Sequence, residues 1–439
     1  MAMSKDTIYA ISSGSLPAGV AVIRISGTQA IAALATLAGE NLPSPRRAGL
    51  RTIRDRNNHT IDQALVFHFP APNSFTGEDC VEIHVHGGRA VVNAVFSELS
   101  AMQSLRAAEA GEFSKRAYDN GKMDLIEVEG LADLLKAETE MQRRLALEQT
   151  SGKLSDLYDG WANRLTRCRA LIEAELDFPE EEDVPGSVAD SVWLQVAELK
   201  FEIKEHLKQA GHAEIIRDGF KVALVGAPNA GKSSLMNALS GRDVAIVTDI
   251  AGTTRDILSV DLDIGGYLVT IYDTAGLRET NDLVEKEGVR RAANLAMAAD
   301  LVILLVDFDS DVERLIHTQA RTFRVASKLD LNPDICPEAD LRISSKSGEG
   351  LAELKNLIRN EIETRSGSVQ TLAPGRLRHK KRLEETLDYV SEALQSLSDD
   401  LAVRSEYLRL AATALGRITG RVDVEELLGV IFSEFCIGK

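Results

Sequence analysis

Apolar residues in the first 122 positions recur with period two. "AGVAVIRISG" (18–27), "ALVFHF" (64–69) and "CVEIHVH" (80–86) alternate apolar and polar positions in short bursts between turns. That is the pattern of half-buried strands, and it predicts an α+β domain. From Met123 the period lengthens. Leu154, Leu157, Trp161, Leu165, Cys168 and Leu171 step by three and four, as do Val192, Val196, Leu199, Ile203 and Leu207. Each set lines one face of a helix. Between them "DFPEEEDVPGSVAD" (177–190) is acidic and broken by Pro and Gly, which marks a connector. At Gly219 strands return in "KVALVG", "LVTIYDTAG", "LVILLVD" and "FRVASKLD", with helical stretches between them. That alternation predicts a parallel, doubly wound α/β sheet. Beyond residue 366 a last helical stripe runs through Leu383, Leu387, Val390, Leu394, Leu397 and Leu401.

The two helical stretches flank the α/β unit. The economical layout is multidomain: an N-terminal α+β domain at 1–122, a discontinuous α-helical domain at 123–216 and 367–439, and an inserted P-loop α/β domain at 217–366. A length of 439 residues suits such an arrangement. The longest apolar run, "LVILLV" (301–306), is too short to span a bilayer and reads as a buried strand. The start, "MAMSKDTIYAISSG", lacks a signal-peptide core. Four cysteines (Cys80, Cys168, Cys336, Cys436) are far apart and match no zinc spacing, which points to a reducing, cytoplasmic setting without a membrane partner. A net charge of −17 argues against bulk coating of nucleic acid but not against a local basic patch. The run "RLRHKKR" (376–382) either faces RNA or opens a solvated helix. The terminus "FSEFCIGK" is no prenylation box, because Gly438 and Lys439 follow the cysteine pattern poorly.

The chemistry is concentrated in the α/β unit. "GAPNAGKS" (226–233) fits G-x-x-x-x-G-K-[ST] between a strand and a helix. Gly226 and Gly231 allow the tight loop, and the backbone from Asn229 and Ala230 to Ser234 surrounds phosphate. Lys232 reaches the β/γ oxygens, and the Ser233 hydroxyl is a Mg²⁺ ligand. Downstream, "TDIAGTT" comprises Thr248, Asp249, Ile250, Ala251, Gly252, Thr253 and Thr254, and Thr254 offers Mg²⁺ a second hydroxyl. "DTAG" supplies Asp273, Thr274, Ala275 and Gly276 to the metal's shell and the γ-phosphate. In "SKLD", Asp330 can accept both guanine N–H donors and Lys328 can lie along the base. "ISSKSGEG" places Ser344, Ser345 and Lys346 beside it. Together these motifs point to GTP. Their order resembles the translation-factor-related GTPases, whose guanine motif usually opens with Asn. Ser327 stands there instead, and restoring Asn is expected to tighten guanine binding. Leu277 follows the D-x-x-G motif where many GTPases carry a water-orienting Gln. Glu285, in "NDLVEKEG", is the candidate replacement, against the plainer reading of a solvated helix carboxylate.

Across nearly the whole length the chain resembles the bacterial and organellar tRNA-modification GTPases called the MnmE or TrmE family. The resemblance rests on "DTIYAIS", "RISG", "NSFTGED", "EIHVHGG", "GEFSKRAYDNGKMDL", "DFPEEED", "GAPNAGKSS", "DIAGTTRD", "DTAGLRE" and "FCIGK". It implies an N-terminal folate-binding, dimerising domain, a discontinuous helical domain and an inserted GTPase. It implies a homodimer that works with an FAD-containing partner, MnmG. The pair would add a carboxymethylaminomethyl-type group to C5 of the wobble uridine of certain tRNAs, using a one-carbon unit from 5-formyl- or methylene-tetrahydrofolate. By motif, Arg24, Glu82, Lys122 and Lys439 would contact folate. A K⁺ ion would be held by Asn229 and by Thr248, Ile250 and Thr253. Glu285 would orient water, and Cys436 lies near the folate, either as a nucleophile or as a buried thiol. Two other readings compete: a GTP-switched ribosome-assembly factor, and a folate enzyme with regulatory GTP binding.

Overall fold

The structure, a computed structural model, describes residues 6–177, 188–227, 229–242, 258–273, 297–306, 320–332, 336, 338–366, 372–395, 400–422, 428–429, 431–432, 435 and 438. The chain divides into two compact units, one of residues 1–132, 150–162 and 415–439, the other of 133–149 and 163–414.

The first unit is built on a six-stranded sheet. Its elements are β1 (Thr7–Ile11), β2 (Ala18–Ser26), α1 (Ala30–Ala38), β3 (Gly49–Arg54), β4 (Thr60–Phe69), β5 (Cys80–Gly87), α2 (Arg89–Ser100), β6 (Leu105–Ala107), α3 (Glu112–Asp119) and α4 (Leu125–Lys136). The strand order is β3-β4-β5-β2-β1-β6, antiparallel throughout except for the β1–β6 pair. Alternation sorts the strands' side chains. Ile23, Ile25, Val66, Val81, Ile83 and Val85 turn to one face, where α1 and α2 cover them with Leu34, Leu37, Val92, Val95 and Leu99. Arg24, Phe67, Glu82 and His84 take the intervening positions, so they turn to the opposite face. The period-two reading of these strands is therefore what separates the core from a polar sheet face. Near the C-terminus, Leu428, Ile431, Phe432 and Phe435 are buried against Leu125, Val128 and Ala132 of α4.

The second unit continues with α5 (Glu140–Gln149), α6 (Lys153–Asp177, beginning in the first unit), α7 (Val188–Leu207), α8 (Ala210–Asp218), β7 (Phe220–Gly226), α9 (Lys232–Arg242), β8 (Leu258–Ile264), β9 (Tyr267–Asp273), β10 (Leu301–Val306), β11 (Arg321–Ala326), β12 (Leu341–Arg342), α10 (Leu351–Ser366), α11 (Leu377–Gln395) and α12 (Leu401–Thr419). Its sheet runs β12-β11-β10-β7-β9-β8, parallel except for the β8–β9 hairpin. All six residues of β10 are buried, as the run "LVILLV" requires of a central parallel strand. The hairpin turns on Gly265 and Gly266, both at positive φ (66° and 89°), a two-residue turn that other residues enter only with strain. Its tip is tied to α5 by the Met141 N–H donating to the Gly266 carbonyl at 3.0 Å.

The helical stripes lie one step from some of their expected positions. In α6, Tyr158 and Ile172 are buried alongside Leu154, Trp161, Leu165 and Cys168, while Leu157 and Leu171 are only half-buried. In α7 and α11, which pack together, His206, Thr386 and Ala393 are buried next to the expected Leu207, Leu387 and Leu394. The buried face includes Tyr, His, Thr and Ala as well as aliphatic residues, which a count of leucines does not register. No helix among the described residues is long and apolar enough to cross a membrane.

Candidate functional site

The loop after β7 is shaped by two left-handed residues, Asn229 (φ 64°) and Gly231 (φ 95°). It closes on its own lysine: the Lys232 ammonium donates to the carbonyls of Gly226 at 2.7 Å and Ala227 at 2.9 Å. Burial pushes the Lys232 pKa below that of an ordinary lysine, and the Asp273 carboxylate opposes that shift. Asp273, at the end of β9, is 3% exposed and accepts a hydrogen bond from the Ser233 hydroxyl at 3.1 Å. A hydroxyl and a carboxylate so close form the kind of hard oxygen pair that Mg²⁺ takes, directly and through water.

The loops after β11 and β12 are braced onto this one and onto each other. Ser327, 3% exposed at the end of β11, donates its hydroxyl hydrogen to the Ala230 carbonyl at 2.6 Å. Lys328 follows at positive φ (64°), which turns the chain out of the sheet. The Ser344 hydroxyl, fully buried, donates to Asp330 Oδ1 at 2.7 Å and fixes that carboxylate. One cavity of about 590 Å³ joins the two sides. Asn229, Gly231, Lys232, Ser233 and Ser234 line it on the β7 side, and Ser327, Lys328, Asp330, Ser345 and Lys346 line it on the other. Leu331, also on the lining and 74% exposed, was not foreseen and carries no polar signal that would have singled it out. Thr248 to Thr254, Thr274 to Leu277 and Glu285 lie outside the described residues.

In the first unit a second polar cluster stands on the sheet face away from α1 and α2. Arg24 and Glu82 face each other across β2 and β5, and their ion pair closes at 2.9 Å. The other Glu82 oxygen lies 3.3 Å from His84 Nε2, and the His84 ring lies 5.0 Å from that of Phe67. His86, on the same strand face, turns instead to Asp62 at 2.8 Å. The Arg24 guanidinium sits over the rings of Phe75 at 5.1 Å and Phe113 at 5.8 Å. Lys122 is exposed, and its stem lies against Gly77. Gly438 (φ 101°) packs so tightly on β1 that any side chain there would meet the Ile11 carbonyl. Ile11 follows Ala10, the cross-strand partner of Arg24, so Gly438 reaches the same region of the sheet. Lys439 and Cys436 lie outside the described residues; Cys80, Cys168 and Cys336 are free thiols. The basic run is largely engaged: Arg376 pairs with Asp133 at 2.6 Å, Arg382 pairs with Glu385 at 2.7 Å, and His379 is fully buried.

A family model for the "GTP-binding protein TrmE N-terminus" matches residues 7–122, and one for the "MnmE helical domain" matches residues 125–436. The chain belongs to the MnmE family. Among MnmE relatives, the tRNA modification GTPase MnmE of Agrobacterium fabrum is 68% identical over 439 residues, covering 99% of both chains. That of Rhizobium etli is 58% identical over 440 residues, covering 100% of both. The MnmE of Rhizobium johnstonii is 57% identical over the same length.

Proposed function

We propose that the chain hydrolyses GTP to drive tRNA wobble-uridine modification. The observation that carries this reading is one cavity lined by the Lys232 loop, by Ser233, to which Asp273 is bonded, and by Asp330, which Ser344 braces. Lys232 holds the β/γ oxygens, for which it would exchange its contacts with the Gly226 and Ala227 carbonyls. Asp330 selects guanine by accepting both N–H donors of the base. Ser233 and Thr254 would hold Mg²⁺; Asn229, with the backbone of Thr248, Ile250 and Thr253, would hold K⁺. Bound, these ions neutralise the charge that develops on the phosphates. Glu285 orients the attacking water where Leu277 cannot.

The Arg24 face is the one-carbon site. Glu82 suits the amide-like edge of a pterin, with Arg24 paired to it at that same end, and the cationic Lys122 and Lys439 suit the carboxylates of the glutamate tail. Lys122 and Lys439 complete it, with Cys436 nearby. Residues 1–122 would form the folate-binding and dimerisation domain, 123–216 with 367–439 the helical domain, and 217–366 the GTPase. The homodimer acts in the cytoplasm with the FAD-containing MnmG to install a carboxymethylaminomethyl-type group. Nucleoside analysis of tRNA from cells lacking the chain tests this. The modified wobble uridine should vanish, return with the wild-type chain and stay absent with Lys232→Ala. Unchanged tRNA nucleosides alongside a ribosome-assembly defect would favour the assembly-factor reading.

A further inference from the structure

Between Arg24 and Lys122 lies the loop "NSFTGED" (73–79), and it touches both. Phe75 lies under the Arg24 guanidinium, and Gly77 lies against the stem of Lys122, close enough that a Cβ there would sit 3.2 Å from Lys122 Cε. Exposed loops seldom hold such positions without support. This one is held from beneath by a buried polar cluster. Arg116, 5% exposed on α3, donates to both oxygens of Glu78, itself 7% exposed, at 3.2 and 3.1 Å. The Ser26 hydroxyl donates to Glu78 Oε2 at 2.7 Å and lies 2.7 Å from the Thr76 hydroxyl. Thr76 Oγ1 also accepts from the Glu78 N–H at 3.2 Å, and Asn120, two residues before Lys122, donates to the Thr76 carbonyl at 2.7 Å. Ser26 and Thr76 are fully buried.

We propose that Glu78, Arg116 and Thr76 are positioning residues that set the spacing of the two cationic arms of the folate site. None of the three need touch the ligand. Together they fix the loop so that Phe75 aims Arg24 and Gly77 aims Lys122. This rests on the reading of the Arg24 face as a reduced-folate site. The cluster is also built to be intolerant, because a buried carboxylate left without its guanidinium keeps an uncompensated charge. Arg116 also pairs with Asp6 at 3.1 Å and Glu112 at 3.1 Å, so its guanidinium is held by contacts outside the loop as well.

The test uses the full-length chain and titration with 5-formyl-tetrahydrofolate. Thr76→Val keeps the shape and removes the hydroxyl; it should weaken binding at least tenfold. Thr76→Ser restores the hydroxyl and should bind within about twofold of wild type. Glu78→Gln should weaken binding at least as much as Thr76→Val. Val95→Ala, buried on the opposite sheet face, is the control for lost stability and should bind normally despite a lower melting temperature. GTP hydrolysis should be unaltered in all four. If Arg24→Ala loses binding while Thr76→Val and Glu78→Gln bind like wild type, the positioning role is wrong. Equal weakening by Val95→Ala would likewise reduce it to general stability. Should Arg24→Ala itself bind normally, the folate reading of this face falls, and this proposal falls with it.

Discussion

The Ser327 hydroxyl donates to the carbonyl of Ala230 across 2.6 Å, and 97 residues of sequence separate the two. That bond ties the base-side loop to the phosphate loop at a buried point. The serine that departs from the usual guanine motif therefore has a structural task that needs only one donor.

Ser327→Ala should leave the Ala230 carbonyl without its donor. An unsatisfied buried acceptor costs about 1–3 kcal/mol. Because the bond orders the nucleotide loops, much of that loss should appear as guanine nucleotide affinity weakened about tenfold. Ser327→Asn carries an amide that can donate to the same carbonyl, and it should bind GDP at least as tightly as wild type. Calorimetric titration of both variants checks this, and an unchanged Kd for Ser327→Ala would show the brace to be dispensable.

GTP turnover should rise with K⁺ and not with Na⁺, because the smaller ion does not fill a site shaped for K⁺. Asn229 is exposed on the cavity wall, in a left-handed conformation within the loop after β7. Asn229→Ala should lose the K⁺ response while still binding nucleotide. Steady-state hydrolysis in matched KCl and NaCl decides the point, and equal rates in the two salts would refute it.

Gly438 should be as sensitive as any residue of the tail. Gly438→Val would drive a side chain into the Ile11 carbonyl and lift the terminus from β1. Binding of 5-formyl-tetrahydrofolate should weaken about as much as in Lys439→Ala, for which a lost charge-assisted contact predicts about 1–3 kcal/mol. Deleting residues 436–439 should abolish tRNA modification. GTP hydrolysis should stay near normal in all three, since the GTPase motifs lie elsewhere in the chain.

Acid should weaken the fold through His206. Burial between α7 and α11, with His379 adding like-charge repulsion, pushes its pKa down to about 4 from 6.5. As pH falls, the unfolded chain takes up this proton first. The stability tied to neutral His206 is therefore complete above pH 6.5 and is lost progressively as pH falls toward 4. The shift corresponds to about 3 kcal/mol at most. Urea midpoints between pH 7 and 4 should fall less steeply for His206→Leu than for wild type.

Much of the nucleotide site was legible because its parts are local. A strand, a tight turn and a helix start are contiguous in "KVALVGAPNAGKSS", and each residue type has one geometric reason to be there. The sheet faces were legible for the same reason, since alternation alone separates Ile23 and Ile25 from Arg24. The pairings that brace the sites were not. Glu78 and Arg116 are 38 residues apart, and Ser327 and Ala230 further still, and no periodicity links such partners. Nor does α5 announce its place: Leu145 joins the core of the second unit's sheet, and no motif in its segment marks it. Leu377, at the head of the basic run, is 55% exposed while His379 is fully buried, an inversion that hydropathy ranks the wrong way round.

The hairpin of β8 and β9 has a mechanical consequence. Strand β9 begins at Tyr267, beside the turn bound to Met141, and ends at Asp273, the carboxylate bonded to Ser233. Seven residues of extended chain span about 20 Å. The strand is thus a stiff rod with the Asp273 carboxylate at one end and a helix at the other. Between the two ends runs covalent backbone held on both sides by β7 and β8. One strand, rather than a chain of side-chain contacts, therefore joins the Asp273 carboxylate to the turn that Met141 of α5 holds.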